Sequence, residues 1–218
     1  MDDKQPEGRI LLVNKPYEWT SFDVVNKLRY KLKIKKVGHA GTLDPLATGL
    51  LIICTGKMTK RIEEYMGMEK EYTGTLVLGQ TTPSHDLETE VSPAVDIRHL
   101  TTEQITQATQ PFLGTIEQLP PIHSAIRVGG KRAYAFARKG HEVELQPRQV
   151  HVREFELTRI ALPEVDFRIS CSKGTYIRSL VRDFGNNLGV GAHMTVLCRT
   201  RIGDFHLKDA LTIDEIES

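Results

Sequence analysis

The order in which strand-like and helix-like segments follow one another constrains this chain most. Strand character appears at 9–13, 50–54, 70–78, 114–118, 150–160, 165–171, 194–199 and 202–206. Helical patterns fall at 20–32, 59–66, 102–112, 133–139 and 176–188, between only some of those strands. Strict βαβ alternation would specify a parallel sheet. This irregular series predicts an α+β fold with a mixed, mainly antiparallel sheet flanked by helices. Two patterns anchor the reading. Segment 70–78 alternates through Tyr72, Gly74, Leu76 and Leu78, and segment 176–188 turns Ile177, Leu180, Val181 and Phe184 to one face before Gly189 stops it. Helix 20–32 starts at Thr20 or Ser21 and should bury Phe22, Val25, Leu28 and Leu32. A chain of 218 residues suits one large domain or two small ones.

The compartment follows from the cysteines and the start of the chain. Cys54, Cys171 and Cys198 are odd in number, lie among apolar neighbours and form no CxxC pair. They read as reduced thiols in strands of a cytosolic protein. The first apolar run, 10–13, is too short for a signal-peptide core or a membrane span. Charge is balanced, with 29 Lys and Arg against 28 Asp and Glu, but it is segregated. One basic run is Lys27, Arg29, Lys31, Lys33, Lys35 and Lys36; a second is Arg127, Lys131, Arg132, Arg138 and Lys139; a third is Lys173, Arg178, Arg182, Arg199 and Arg201. Acid collects at Glu63, Glu64, Asp86, Glu88, Glu90 and Asp96. Such runs are most often solvated faces.

Segment 38–49 reads as a long loop, dense in Gly and Thr and anchored by apolar residues at both ends; loops of that length in a compact domain are commonly functional. Within it Pro45 biases Asp44 toward an extended backbone and away from helix. Taken alone, Asp44-Pro45 is a turn dipeptide and His39 an ordinary histidine. A phosphate-binding loop lacks its Gly-Lys-Ser/Thr, and a single Asp lacks the second carboxylate of a glycosidase.

The blocks around these residues resemble the TruB family of pseudouridine synthases. Gly38-His39-Ala40-Gly41-Thr42-Leu43-Asp44-Pro45-Leu46-Ala47-Thr48-Gly49 is similar to the family's signature. Asn14-Lys15-Pro16 with Thr20-Ser21 resembles its Lys-Pro motif, and Lys70-Glu71-Tyr72 leading to Leu78-Gly79-Gln80-Thr81-Thr82 its second motif. Pro121-Ile122-His123-Ser124-Ala125 with Gly130-Lys131-Arg132-Ala133-Tyr134 resembles its RNA-gripping insertion, here about 120–147. Segment 171–178, Gly191-Ala192-His193 and Leu197-Cys198-Arg199 complete the set, in order, over residues 9–202.

The resemblance implies a pseudouridine synthase fold and an isomerase acting on the T stem-loop of tRNA at position 55; a monomer is the expectation for its assembly. The resemblance implies neither cofactor nor metal, because the reaction is redox-neutral and loses no group. Asp44 matches the catalytic nucleophile, Arg178 the arginine that keeps it ionised, and Tyr72 the tyrosine that packs on the base. Tyr176 and Leu197 match the lining of the uracil pocket. His39 matches the histidine that accompanies flipping of the base out of its stack. Lys15 takes a structural role. Lys35, Lys36, Arg127, Lys131, Arg132 and Lys173 are the candidates for gripping the RNA backbone. A guide-RNA-dependent synthase of ribosomal RNA and a non-catalytic tRNA-binding or folding factor are the alternatives; Leu46-Ala47-Thr48 favours the stand-alone type.

Three departures accompany the match. Glu18 stands where the family usually has Gly, which would strain a turn that needs positive φ. Thr82-Pro83-Ser84-His85-Asp86 replaces a Thr-Asp-Thr-x-Asp pattern and keeps only Asp86 as an acid in register. The sequence ends at Ser218, so the expectation is a single catalytic domain, 1–218, without a C-terminal PUA-like module.

Overall fold

The computed structural model describes residues 7–121, 127–128, 131–132 and 145–217. The chain divides into two compact units, one of Met1–Thr73 with Val196–Ser218 and the other of Gly74–Thr195.

The first unit is built on its most apolar strand. Strand β1 (Ile10–Lys15) and β2 (Val37–Ala40) both run antiparallel to β3 (Thr48–Thr55). Residues Leu50–Cys54 of β3 are wholly buried, so both of its faces are apolar and it reads as one continuous run. One edge of β3 carries β1 along its length. The other carries β2 at Ile52 to Thr55 but β10 (Ala192–Ile202), in parallel, at Thr48 and Gly49. The chain between β2 and β3 therefore emerges where one neighbour of β3 gives way to the next. Strand β4 (Lys70–Leu78) follows beyond β10, and its first residues lie antiparallel to it through Gly203 N to Glu69 O and Thr200 Oγ1 to Glu71 O.

Helix α1 (Ser21–Leu32) covers this sheet. Thr20 caps it with Asp23 in a reciprocal box, and Val24, Val25, Leu28 and Leu32 pack with Val13, Val37, Leu51, Ile53, Ile213 and Ile216. Phe22 is not among them. It is 56% exposed, because the buried stripe runs through Ser21, Val24, Val25 and Leu28 and leaves Phe22 to one side.

Several boundaries differ from those expected. Residues 38–40 belong to β2, which shortens the loop to 41–47. Asn14 and Lys15 continue β1 instead of turning. Segment 59–66 is a 3-10 turn, Gly56–Arg61, running into α2 (Ile62–Gly67). The two last strands are both present with shifted bounds: β10 runs on to Ile202, and across Gly203-Asp204 the short β11 (Phe205–His206) pairs with it. Glu18 does adopt φ 63°, a left-handed conformation that costs a side-chain-bearing residue about 1 kcal/mol. Cys54, Cys171 and Cys198 all lie in strands as free thiols, the first two buried and Cys198 half-buried.

In the second unit the order is β10, β4, β9 (Glu164–Cys171), β8 (Arg148–Ala161) and β5 (Gly114–Gln118), with β8 antiparallel to both β9 and β5. Helix α3 (Thr102–Gln107), capped by Thr101 and Gln104, and α4 (Ile177–Asn187) belong to this unit. Phe155 gathers Phe112, Phe167 and Phe184 at centroid distances of 5.5 to 6.4 Å. Of the segment 120–147, β6 (Arg127–Val128) pairs antiparallel with β7 (Lys131–Arg132). The helix expected at 133–139, and with it Arg138 and Lys139, lies outside the described residues.

Candidate active site

Loop 41–47 is pinned from three directions by buried side chains of the first unit. Arg199, 1% exposed, donates from Nε to Leu50 O at 2.8 Å and from Nη2 to Gly41 O at 3.2 Å, with Nη1 3.5 Å from Thr42 O. Lys15, fully buried, donates from Nζ to Pro45 O at 3.2 Å, to Pro16 O at 3.0 Å and to Trp19 O. Ser21 Oγ accepts from Leu43 N at 2.8 Å and donates to Leu43 O at 3.2 Å. Ala47 N closes the turn on Asp44 O at 3.1 Å. Main-chain groups of Gly41, Thr42, Leu43, Asp44, Pro45 and Ala47 are all engaged, so the half-buried Asp44 side chain starts from a fixed main chain. Gly49 makes this close approach possible. It has φ 102°, and a Cβ there would meet Arg199 O at 2.4 Å.

The same cations set the electrostatics. Burial pushes the Lys15 ammonium down from 10.5 to about 8, opposed by the attraction of Asp44 and assisted by Arg199. Burial also lowers His39, with the Gly41 backbone opposing and Arg199 assisting, so its imidazole is neutral at physiological pH. His39 sits in β2 opposite Ile53. Tyr72 on β4 and Leu197 on β10 are 8% and 7% exposed, and Thr48 Oγ1 donates to Leu197 O at 3.4 Å. His39, Asp44, Tyr72 and Leu197 thus all belong to the first unit, on strands and a loop arranged around the start of β3.

Tyr176 and Arg178 belong to the second unit. Gln118 brackets the Tyr176 main chain, accepting from its N at 2.8 Å and donating to its O at 3.1 Å, and the Arg148 guanidinium lies 4.6 Å from the Tyr176 ring centroid. Tyr176 is thereby held at the cap position of α4. Arg178, in the first turn, is 3% exposed and not a surface residue. Its Nη1 donates to Ser84 O at 3.1 Å and its Nε lies 3.5 Å from Asp86 Oδ2. The altered 82–86 segment is therefore an ordered loop that presents a buried carboxylate to Arg178. Its own hydroxyls hold it: Thr82 Oγ1 and Ser84 Oγ both donate to Asp86 O, at 2.6 and 3.1 Å.

Other sequence expectations change. Arg178 and Arg199 are buried and Arg201 is tied to Glu69 at 2.7 Å, so of the third basic run only Lys173 is an exposed cation; Arg182 is half-buried beside Asp183. Lys35 and Lys36 are exposed. Arg127, Lys131 and Arg132 are described only as members of β6 and β7. Arg199 and Ser21 in the first unit, and Asp86, Gln118 and Arg148 in the second, were not foreseen as holding loop 41–47 and the start of α4 respectively. Each acts on main-chain or charged groups far away in sequence, for which no local pattern exists. Among the described residues no three His, Cys, Asp or Glu side chains gather as a metal site, and no helix is long and apolar enough to cross a membrane.

The family model described as TruB family pseudouridylate synthase, N-terminal domain, matches residues 29–177, and that of the tRNA pseudouridylate synthase B C-terminal domain matches 178–218. This chain belongs to the TruB family. The tRNA pseudouridine synthase B of Flavobacterium johnsoniae is 54% identical over 218 residues, covering 97% of this chain and 95% of its own. That of Phocaeicola vulgatus is 56% identical over 214 residues, covering 95% and 91%. Among solved structures, a chain of a Cbf5-Nop10-Gar1 complex matches with TM-score 0.74 and 31% identity over 94% of this chain. A chain of an H/ACA RNP bound to a substrate RNA containing 2'-deoxyuridine matches with TM-score 0.70 and 28% identity, also over 94%. This chain spans about half the length of those two, 52% and 51%. The pseudouridine synthase fold and the α+β class expected from the element order both hold, and as a TruB-family pseudouridine synthase the chain is an isomerase.

Proposed function

We propose that this TruB-family chain converts uridine to pseudouridine in the T stem-loop of tRNA, at position 55, as a cytoplasmic monomer with Asp44 as the nucleophile. The observation that carries the reading is the pinning of loop 41–47. Lys15, Ser21 and Arg199 fix the carbonyls and amide around Asp44, which is what a carboxylate that must meet one sugar carbon requires. The isomerisation breaks the N1–C1′ bond, turns the uracil, forms the C5–C1′ bond and moves the C5 proton to solvent as N1 regains one. An ionised carboxylate serves it by bonding to the substrate or by opposing positive charge at C1′.

The remaining residues take supporting roles. Arg178 keeps Asp44 ionised and oriented. Tyr72 packs on the uracil and accepts its C5 proton, and Tyr176 and Leu197 shape the pocket. His39, neutral by burial, stacks or hydrogen-bonds with nucleotides displaced as the target leaves its stack. Lys35, Lys36, Arg127, Lys131, Arg132 and Lys173 grip phosphates, so binding weakens steeply with salt. The tRNA substrate is supported by relatives of that printed name at 54% and 56% identity, against 31% for the chain of the Cbf5-Nop10-Gar1 complex. The test is chemical mapping of pseudouridine in an unmodified tRNA after incubation with the pure protein. A single new pseudouridine at position 55 is expected. Its absence, or pseudouridine elsewhere only, contradicts the reading.

A further inference from the structure

We infer that the outer face of α1, with the basic segment that follows it, is an additional RNA-contact surface that stacks unpaired bases on aromatic rings and holds their phosphates by charge. The inference rests on an RNA substrate, as proposed above, and goes beyond the pocket around Asp44.

The inner face of α1 is already committed to the core through Val24, Val25, Leu28 and Leu32. Its outer face carries Phe22, Asn26 and Tyr30 at intervals of four, which places them along one side of the helix. Phe22 is 56% and Tyr30 86% exposed. Neither ring belongs to the buried cluster that α1 forms with the sheet, so both rings are open to a partner that stacks on them. The Arg29 guanidinium, 5.8 Å from the Phe22 centroid, steadies that ring, while Arg29 itself is anchored to Val37 O at 3.0 Å.

The surroundings choose the partner. Between Asp23 and Asp44 there is no acidic residue, and the same stretch holds six Lys and Arg. Lys31 and Arg29 tie the helix to main-chain carbonyls, but Lys27, Lys33, Lys35 and Lys36 are exposed. Acids flank the helix at two places, Glu18 and Asp23 at its N-terminal end and Asp214 beside Lys31, whose Nζ donates to Asp214 O at 2.8 Å. Asp23 is engaged by Thr20, whose N and Oγ1 donate to it at 2.8 and 2.6 Å, and Glu18 lies in the preceding turn. A shallow depression of about 470 Å³ lined by Glu18, Trp19, Asp23, Asn26 and Lys27 adjoins the stripe and offers an indole and an amide for a base, with two carboxylates and one ammonium at its rim, so the phosphate contacts fall to the exposed lysines beyond it. Aromatic rings beside lysines suit a polyanion made of planar bases, because stacking tolerates any base and charge follows the backbone.

Anisotropy measurements on the full chain, with unmodified tRNA and with a short oligouridylate as probes, test this. The double substitution Phe22→Ala with Tyr30→Ala should weaken oligouridylate binding about tenfold, while Tyr30→Phe stays within about twofold because the ring is retained. Lys27→Ala with Lys33→Ala should lower the salt slope by about 1.4, two phosphates' worth on a single strand. Turnover at saturating tRNA should not change in any of the three. The inference is overturned if the wild type fails to bind the oligouridylate, or if the double aromatic variant binds both RNAs as the wild type does. It is equally overturned if that variant only abolishes a self-associated species in the ultracentrifuge, since the stripe is then a protein interface. A wild type that binds both RNAs but makes no pseudouridine would sink the proposed function and leave this comparison decided on its own.

Discussion

Two loops, one in each unit, carry the acids Asp44 and Asp86, and they are held in opposite ways. Loop 41–47 has few bonds of its own and is gripped from outside by Lys15, Ser21 and Arg199, which come from β1, α1 and β10. The loop around Asp86 grips itself. Thr82, Ser84 and Thr89 bond within it, Asp86 Oδ1 accepts from Glu88 N at 3.0 Å, and Arg178 is its charged partner from α4. The contrast fits the proposed function, in which Asp44 must meet a substrate and neighbouring elements hold its main chain. Asp86, buried beside Arg178, is wrapped instead in hydroxyls and amides of its own loop.

That contrast breaks if the two loops respond alike to loss of their cations. Arg178→Met should be the most damaging single change, about 3–5 kcal/mol by denaturant unfolding, because it leaves the Asp86 carboxylate buried without its guanidinium. Arg199→Met should cost about 3 kcal/mol, since it strands the Leu50 and Gly41 carbonyls, and should also reduce turnover by loosening loop 41–47. Equal stability losses with no effect of Arg199→Met on turnover would erase the distinction.

Each loop also has its own pH signature. Burial, with Arg182 and Arg178 nearby, lowers His85 from 6.5 to about 4. The unfolded chain therefore binds the proton first, and stability from this group, whole above pH 6.5, is lost as pH falls toward 4. Lys15 is lowered from 10.5 to about 8, so the unfolded chain holds the extra proton between those values and stability rises with pH across that window. Each slope is at most one proton, about 1.4 kcal/mol per pH unit. It should vanish in His85→Asn and in Lys15→Met respectively; an unchanged slope in either variant would remove that group from the account. The smallest effect sharpens the picture of the self-held loop. Ser84→Ala removes donors to Asp86 O and Thr89 and should lower stability by about 1 kcal/mol with turnover retained, as read by thermal melting and a tRNA assay.

How far the sequence alone reached differs between the loops for the same reason. Period and caps disclosed β4, α1 and α4 to within a residue or two, because those signals are local. Asp44 was recognisable from the motif around it. Residues 38–40 read as loop since Gly38 and His39 have little strand character; they pair only because that edge of β3 is vacated by β10. Arg199 read as an RNA-facing cation, yet its guanidinium bonds carbonyls 149 and 158 positions away, which no neighbouring residue betrays. Asp86 lay in a segment that departs from the family pattern, and only the fold shows the departure to be wrapped around a buried ion pair.

In the proposed function Asp44 does the chemistry while the elements around it hold position. Pseudouridine mapping under single-turnover conditions, comparing the wild type with Asp44→Asn on unmodified tRNA, tests it most directly. No detectable pseudouridine is expected from the variant, with tRNA affinity within about threefold of the wild type. Substantial turnover by Asp44→Asn would contradict this role.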